Sequence, residues 1–208
     1  EFVQADIDIV GDGTLPFHAD VEVARVMAEA LAGAPLGEVT FVLQVSNRKV
    51  LEGFYLGLGI KDPTAVMQIV DKLDKLPAEK IHELLIEAGL DARQATACLD
   101  LAAICTRDTS FVEQVRELGV EHPLLDEGLS ELAAVIDGCA GIEGVSVTAD
   151  LRIARGLDYY TGTVFETRMT GYESMGSVCS GGRYDQLASS GLRADQVRGL
   201  DEEVRAQG

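Results

Sequence analysis

Apolar residues change their spacing twice along this chain of 208 residues, and that change constrains its fold more than any other feature. Between about residues 60 and 120 they recur every three to four positions, which is typical of amphipathic helices. On both sides of this stretch lie segments in which apolar and polar residues alternate, as in a strand with one buried face. The pattern predicts an α+β fold in which a helical stretch interrupts a sheet.

Local signals show where helices of the middle stretch begin. Asp62 precedes Pro63, and aspartate can cap a helix whose first residue is proline. Asp91 and Gln94 have the spacing of a capping box, in which each side chain bonds the other residue's backbone amide. We therefore expect residues 60–121 to form a helical domain of their own.

The first residues have the clearest strand pattern. Residues 3–10 alternate strictly between apolar and polar side chains, which predicts a strand. Gln4 and Asp8 then lie on the same face, roughly 13 Å apart at the rise of a strand. Such a separation could bracket an amino acid lying along the strand.

Two later segments are predicted to form a hairpin. Residues 145–151 and 163–169 both have strand character, and residues 158–162 have the composition of a turn between them. The two strands are therefore expected to pair in antiparallel orientation.

Charge and composition exclude several classes of function. The net charge is −18, with 35 acidic against 17 basic residues, which argues against a nucleic-acid-binding surface spread over the chain. No apolar run approaches the roughly 18 residues that span a bilayer. The four cysteines form no C-x-x-C pair and have no histidine at metal-ligand spacing, so we expect reduced thiols, no metal site and a cytoplasmic location.

The segment from Ala154 to Glu166 reads Ala-Arg-Gly-Leu-Asp-Tyr-Tyr-Thr-Gly-Thr-Val-Phe-Glu. Two adjacent tyrosine hydroxyls beside an arginine are poorly suited to a buried core, because each polar group needs a partner once it leaves water. A small zwitterionic ligand would supply those partners. The alternative is an exposed hairpin that carries a tyrosine pair.

Three blocks of the chain resemble the histidyl-tRNA synthetases, which are class II aminoacyl-tRNA synthetases. They are residues 1–11 (Glu-Phe-Val-Gln-Ala-Asp-Ile-Asp-Ile-Val-Gly), residues 155–166, and residues 180–185 (Ser-Gly-Gly-Arg-Tyr-Asp). The first resembles the strand that ends the second class II motif. The second block is highly specific, whereas the third alone is a weak signal. The likeness covers about residues 1–188.

The resemblance implies a catalytic core built on an antiparallel sheet of about six strands, with a helical domain inserted into it, in agreement with the change of apolar spacing. Residues 1–59 and 122–188 would form the two parts of the core, and residues 60–121 the insertion. Residues 189–208 match nothing in the family pattern.

The resemblance also implies a role for individual residues. Gln4 would hold the α-ammonium group of histidine, while Asp8 and Tyr160 would bind the imidazole nitrogens, which offer one donor and one acceptor. Arg155 would be catalytic, contacting the reacting carboxylate and the α-phosphate, where a permanently charged guanidinium counters the charge of the transition state. The other implied contacts are side chains that line the histidine pocket, Tyr159 and Tyr184, and glycines that let the backbone approach the ligand, Gly156, Gly181 and Gly182.

The family reaction has two steps: histidine and ATP give histidyl-adenylate and pyrophosphate, and the histidyl group then passes to tRNA(His). We therefore expect L-histidine, ATP with Mg2+ and tRNA(His) as substrates, and a homodimer. The family's dimer motif, third motif and anticodon-binding domain have no counterpart here. This difference predicts a fragment that is inactive alone.

Two alternatives remain open at the level of sequence. One is the regulatory subunit of ATP phosphoribosyltransferase, a catalytically inactive paralogue that keeps a histidine pocket and acts as a sensor. The other is a synthetase-like adaptor without a ligand. Arg155, Asp8 and the complete Arg-Gly-Leu-Asp-Tyr-Tyr string favour the ligase, because paralogues tend to lose this combination.

Overall fold

The computed structural model describes residues 4–153 and 160–185. The helices in these residues are α1 (His18–Ala32), α2 (Arg48–Gly57), α3 (Pro63–Val70), α4 (Ala78–Glu87), α5 (Ala92–Ala102), α6 (Phe111–Glu117) and α7 (Pro123–Gly138). The strands are β1 (Phe41–Asn47), β2 (Cys105–Thr106), β3 (Val145–Asp150), β4 (Thr163–Met169) and β5 (Cys179–Gly182). Short 3-10 turns follow α3 at Asp71–Asp74 and precede β5 at Glu173–Met175.

The five strands form one sheet in the order β2-β3-β1-β4-β5. Strands β1 and β3 run parallel, and the other neighbouring pairs run antiparallel. The predicted strands at residues 145–151 and 163–169 are confirmed, but the prediction that they pair with each other was wrong, because β1 lies between β3 and β4. A parallel pair needs a long crossover, and the helices between β1 and β3 supply it.

The predicted strand at residues 3–10 was wrong for residues 4–10, which belong to none of the five strands. Alternation produces a strand only where a neighbouring strand pairs the backbone and one face is buried. Here neither condition holds. No strand pairs with these residues, and both the polar and the apolar ones are mostly exposed, with 46% of the Ile7 surface accessible to solvent.

The capping signals are confirmed. The Asp62 carboxylate accepts a hydrogen bond from the Ala65 amide at 3.0 Å, at the start of α3. Asp91 and Gln94 form a complete capping box at the start of α5, with bonds of 2.8 and 3.0 Å. These contacts satisfy backbone amides that have no partner within the helix.

Helices α1 and α7 contact each other and the sheet, and α2 packs closely on α7. Gly53 and Gly128 make this crossing possible, because a Cβ atom at Gly53 would lie 2.3 Å from the Leu125 nitrogen and one at Gly128 would lie 2.5 Å from the Val50 nitrogen. The backbones therefore approach more closely than any residue with a side chain allows.

Residues 60–121 are mainly helical, and their one short strand, β2, pairs with β3 of the sheet. Their buried side chains belong to the same hydrophobic cluster as those of β1, α2 and α7. The assignment of residues 60–121 to an inserted domain stays a prediction. Among the described residues, no helix is both long and apolar enough to cross a membrane.

Candidate functional site

A cleft of about 430 Å³ opens between the segment that precedes α1 and the end of the sheet formed by β4 and β5. Its walls come from the chain before α1, from α1 itself, from Tyr160 and Phe165, and from the glycine-rich end of β5. The lining residues that enter the argument below are Asp6, Asp8, Asp20, Tyr160, Cys179, Gly181, Gly182, Arg183, Tyr184 and Asp185.

The structure brings five of the predicted site residues to this one cleft: Asp8, Tyr160, Gly181, Gly182 and Tyr184. They come from two ends of the chain, as the resemblance implies. Gln4 is the exception among the described site residues. Its side chain is exposed and donates to the carboxylate of Asp6 at 3.0 and 3.3 Å, outside the lining of the cleft. The predicted residues Arg155, Gly156 and Tyr159 lie outside the described residues.

Asp8 and Tyr184 meet directly in the cleft. The Tyr184 hydroxyl donates a hydrogen bond to Asp8 Oδ1 at 2.5 Å. This bond, with a smaller effect of burial and of the nearby negative charge, raises the pKa of the Tyr184 phenol above its ordinary value. The phenol is therefore a neutral donor at physiological pH, and the carboxylate has capacity for further donors.

The two glycines at the end of β5 differ in what surrounds them. A Cβ atom at Gly181 would meet no atom within 4 Å, so its backbone borders open space in the cleft. At Gly182 a Cβ atom would lie 2.7 Å from both the Thr163 carbonyl oxygen and Tyr160 Cδ1. The bare backbone of Gly182 thus makes room for the ring of Tyr160, whereas that of Gly181 is accessible to a ligand.

Arg183 and Asp20 form an ion pair in the cleft, and each also makes further hydrogen bonds. Neither residue carried a role in the sequence-based predictions. Arg183 Nη1 donates to Asp20 Oδ1 at 2.8 Å, and the Thr163 hydroxyl donates to Asp20 Oδ2 at 2.6 Å. Burial lowers the pKa of the Arg183 guanidinium, but hydrogen bonds to Asp185 and Asp20 outweigh it and raise the pKa overall. The one available signal was that Arg183 lies within the Gly-Gly-Arg-Tyr-Asp block.

The described wall of the cleft is acidic. It contains the carboxylates of Asp6, Asp8, Asp20 and Asp185 against the single guanidinium of Arg183. Because Arg183 pairs with Asp20 and Asp185, the excess negative charge lies at Asp6 and Asp8. A cationic or hydrogen-bond-donating ligand fits this side of the cleft.

Cys179 also lines the cleft, but its thiol is not activated. Burial, and then the charge of Asp6, raise the pKa of the Cys179 thiol, so the thiol stays protonated and is a poor nucleophile. All four cysteines are free, and burial raises the pKa of Cys98 to about 12 and that of Cys139 to about 11. The geometry therefore gives no support to cysteine chemistry.

A second polar cluster surrounds the buried carboxylate of Asp150. Gln44 donates to it at 2.7 Å, and Arg152 donates to it through Nε and Nη2 at 3.2 and 2.9 Å. Arg168 donates to the buried Glu166 nearby at 3.1 Å. The space among these groups is only about 10 Å³, which is room for a single water and not for an amino acid.

Comparison with known proteins decides the family. A family model described as histidyl-tRNA synthetase matches residues 1–201. This chain belongs to the histidyl-tRNA synthetase family. It is 55% identical over 201 residues to the histidine–tRNA ligase of Micrococcus luteus, covering 96% of this chain and 43% of that protein. The histidine–tRNA ligase of Cutibacterium acnes is 54% identical over 194 residues, covering 92% of this chain and 43% of that protein.

Solved structures agree with this assignment. The crystal structure of histidyl-tRNA synthetase from Nostoc sp. PCC 7120 superposes with a TM-score of 0.74 at 31% identity, over 86% of this chain and 43% of that one. The chain therefore spans less than half the length of each of these three relatives. A Bacillus halodurans protein described as an ATP phosphoribosyltransferase regulatory subunit/histidyl-tRNA synthetase has a TM-score of 0.70 over 86% of this chain and 45% of that one, but its 23% identity shows the fold alone.

Proposed function

We propose that this chain forms the histidine-binding part of a histidine–tRNA ligase, an enzyme that activates L-histidine with ATP and transfers it to tRNA(His). The observation that carries the proposal is the cleft in which Asp8, Tyr160 and Tyr184 meet the exposed backbone of Gly181. These residues come from the three blocks that resemble the family, although they are far apart in sequence. Their convergence is what a shared ligand requires.

Asp8 and Tyr160 are proposed to recognise the imidazole ring through its two nitrogens. A carboxylate accepts from one ring nitrogen, and a phenol can donate to the other. Asp8 is able to hold Tyr184 and an imidazole N–H together, because an ionised carboxylate has several acceptor positions. A wrong side chain would leave these groups unpaired, which gives strong discrimination without an editing site.

Gln4 is proposed to bind the α-ammonium group, as the resemblance implies, but only after a movement. In the structure its amide contacts Asp6 at the exposed side of the segment before α1. Binding through Gln4 therefore requires its side chain to leave Asp6 and turn toward the cleft, which residues 5–8 already line. The acidic wall formed by Asp6 and Asp8 suits a positively charged group in either arrangement.

The phosphate chemistry is proposed to depend on Arg155, with Gly156 permitting close approach of the backbone and Tyr159 lining the pocket. Mg2+ would be carried by the ATP phosphates, which usually share it with only one or two carboxylates. The described parts of the chain contain no cluster of three or more histidine, cysteine or acidic residues that could hold a metal ion.

The remaining parts of the proposal come from the family alone: tRNA(His) as acceptor, a homodimer and a cytoplasmic location. The net charge of −18 means that tRNA contacts on this chain must be local. The relatives at 54–55% identity are both named as ligases, which favours the ligase over the regulatory paralogue.

Isothermal titration calorimetry tests the proposal. L-histidine and the stable analogue histidinol-adenylate are titrated into the protein that carries this chain, with L-phenylalanine as the matched aromatic control. We expect histidine and the analogue to bind, and phenylalanine not to bind comparably. Equal binding of histidine and phenylalanine would contradict the proposed specificity.

A further inference from the structure

The hydrogen bond between Tyr184 and Asp8 joins two segments that lie outside the helices and strands. Tyr184 lies two residues after the end of β5 and is 38% exposed, and Asp8 is exposed in a segment without secondary structure. Neither strand pairing nor deep burial fixes this hydrogen bond. Something else must set the distance between the two side chains.

Arg183 provides that link on the side of Tyr184. The backbone amide of Arg183 donates to the Thr163 carbonyl at 2.8 Å, and its carbonyl accepts from the Thr161 amide at 2.8 Å. Its Nε donates to the Asp185 carboxylate at 2.9 and 3.1 Å. The Thr161 hydroxyl also donates to the Asp185 carboxylate at 2.6 Å, so the chain on either side of Tyr184 is held against the residues that begin β4.

The same guanidinium also holds the side of Asp8. Its Nη2 donates to the backbone carbonyl of Leu15, in the loop between Asp8 and α1. Its Nη1 donates to Asp20 in the first turn of α1, whose other carboxylate oxygen accepts from Thr163. Because a guanidinium is planar with donors in fixed directions, three acceptors on separate segments define its position.

We propose that Arg183 is a positioning residue, which ties the end of β5 to the loop before α1 and so holds Tyr184 within hydrogen-bond reach of Asp8. Its effect on histidine binding rests on the proposed function, whereas its effect on the Tyr184–Asp8 contact does not. Arg183 acts through Tyr184 and not by touching the imidazole. Loss of Arg183 therefore removes the benefit of the Tyr184 hydroxyl.

A double-mutant cycle tests this coupling in histidine-dependent ATP–pyrophosphate exchange. Arg183→Ala and Tyr184→Phe are each expected to raise the KM for histidine, Tyr184→Phe by about 3- to 10-fold, the range for one hydrogen bond. The double variant is expected to match Arg183→Ala, with kcat changed far less than KM. If the two effects multiply, or if kcat alone falls, the proposal is overturned.

A ligand-free measurement separates this inference from the proposed function. The tyrosinate absorbance of the protein minus that of its Tyr184→Phe variant follows the Tyr184 phenol as pH rises. With Arg183 present, the phenol is expected to titrate above its ordinary pH, and in Arg183→Ala the titration is expected to fall toward the ordinary range. An unchanged titration overturns the proposal whether or not histidine binds.

Two further variants control for misfolding. Arg183→Lys keeps the charge beside Asp20 but lacks the several fixed donors of a planar guanidinium. We therefore expect a pKa of the Tyr184 phenol and a KM for histidine that lie between those of the parent and of Arg183→Ala. Arg25→Ala removes an arginine of α1 that pairs with Glu29 and donates to the Gly138 carbonyl, away from the cleft. It is expected to leave both readouts unchanged, and a shift as large as that of Arg183→Ala would identify a general loss of structure and overturn the proposal.

Discussion

Tyr184 donates a hydrogen bond of 2.5 Å to the carboxylate of Asp8, across 176 positions of sequence. The bond joins the chain just after β5 to the segment before α1, and both residues line the cleft. Asp8 is the residue proposed to recognise imidazole. Its carboxylate already accepts a hydrogen bond from the Tyr184 phenol, and an imidazole N–H would bind the same carboxylate. The contact makes Asp8 both a candidate ligand group and a structural one.

Asp8→Asn is expected to weaken histidine binding by roughly 1.5–3 kcal/mol, the scale for a hydrogen bond to a charged group. The amide keeps the shape of the side chain but removes its charge and one acceptor. Calorimetry with L-histidine measures the change. Asp6→Asn is the matched control, because Asp6 lines the same cleft and loses the same charge without contacting Tyr184. Equal losses in both variants would indicate a general electrostatic effect and no specific contact.

The raised pKa of Tyr184 has a consequence for stability. A group whose folded pKa is raised contributes stability below its unfolded value, here 10.0, and loses it as pH rises through the folded value. Tyr184→Phe is therefore expected to lower the free energy of unfolding at pH 7 and to make a smaller difference at about pH 11. Denaturant unfolding at the two pH values checks this. Tyr172→Phe, at an exposed tyrosine, is expected to change nothing at either pH.

Sequence patterns predicted the helices well because their signals are local. The caps at Asp62 and Asp91 depend on residues three positions away, and both are present in the structure. Pairing between strands is not local. Residues 145–151 and 163–169 were predicted to be neighbours because they are close in sequence, whereas β1 inserts between them from about 100 residues earlier.

The candidate site shows the same limit. The resemblance located Asp8, Tyr160, Gly181, Gly182 and Tyr184, and the fold brings all five to one cleft. The Arg183–Asp20 pair spans 163 positions, and no spacing rule connects two such distant residues. Gln4 was expected on the same face as Asp8 because a strand would align them. These residues form no strand, and Gln4 lies outside the cleft that Asp8 lines.

The two glycines at the end of β5 are expected to respond differently to alanine. Gly182→Ala places a methyl group 2.7 Å from the Thr163 carbonyl and the Tyr160 ring, so we expect a loss of about 1–3 kcal/mol of stability from overpacking. Gly181→Ala meets only open space and is expected to fold with stability within about 0.5 kcal/mol of the parent. Thermal unfolding compares the pair. A stable Gly182→Ala protein would contradict the assigned packing of Tyr160.

The crossing of α2 and α7 gives a second test of packing. Gly53→Ala sets a methyl group against the Leu125 backbone, which cannot move aside as a flexible side chain can. We expect a loss of about 1–3 kcal/mol or more, measured by denaturant unfolding. Gly33→Ala is the control, because its nearest Cβ contact would be 3.4 Å and its φ is −80°. The control is expected to be neutral or slightly stabilising.

Arg155 is expected to act in chemistry more than in histidine affinity. Its charge is useful mainly when negative charge builds on the phosphate in the transition state, so its removal should lower the rate far more than it weakens ground-state binding. In the protein that carries this chain, Arg155→Ala is expected to reduce histidine-dependent ATP–pyrophosphate exchange by about 10²- to 10³-fold, comparable to the loss of one oxyanion donor.

Arg155→Lys is expected to restore only part of this activity, because a point charge cannot reproduce the planar fork of a guanidinium. Calorimetry on the same variants separates affinity from rate, and Arg25→Ala again controls for the loss of an arginine elsewhere. Near-normal exchange in Arg155→Ala would remove the catalytic assignment. It would then favour a histidine sensor on this fold, since binding through Asp8 and Tyr160 does not require a group that stabilises the phosphate transition state.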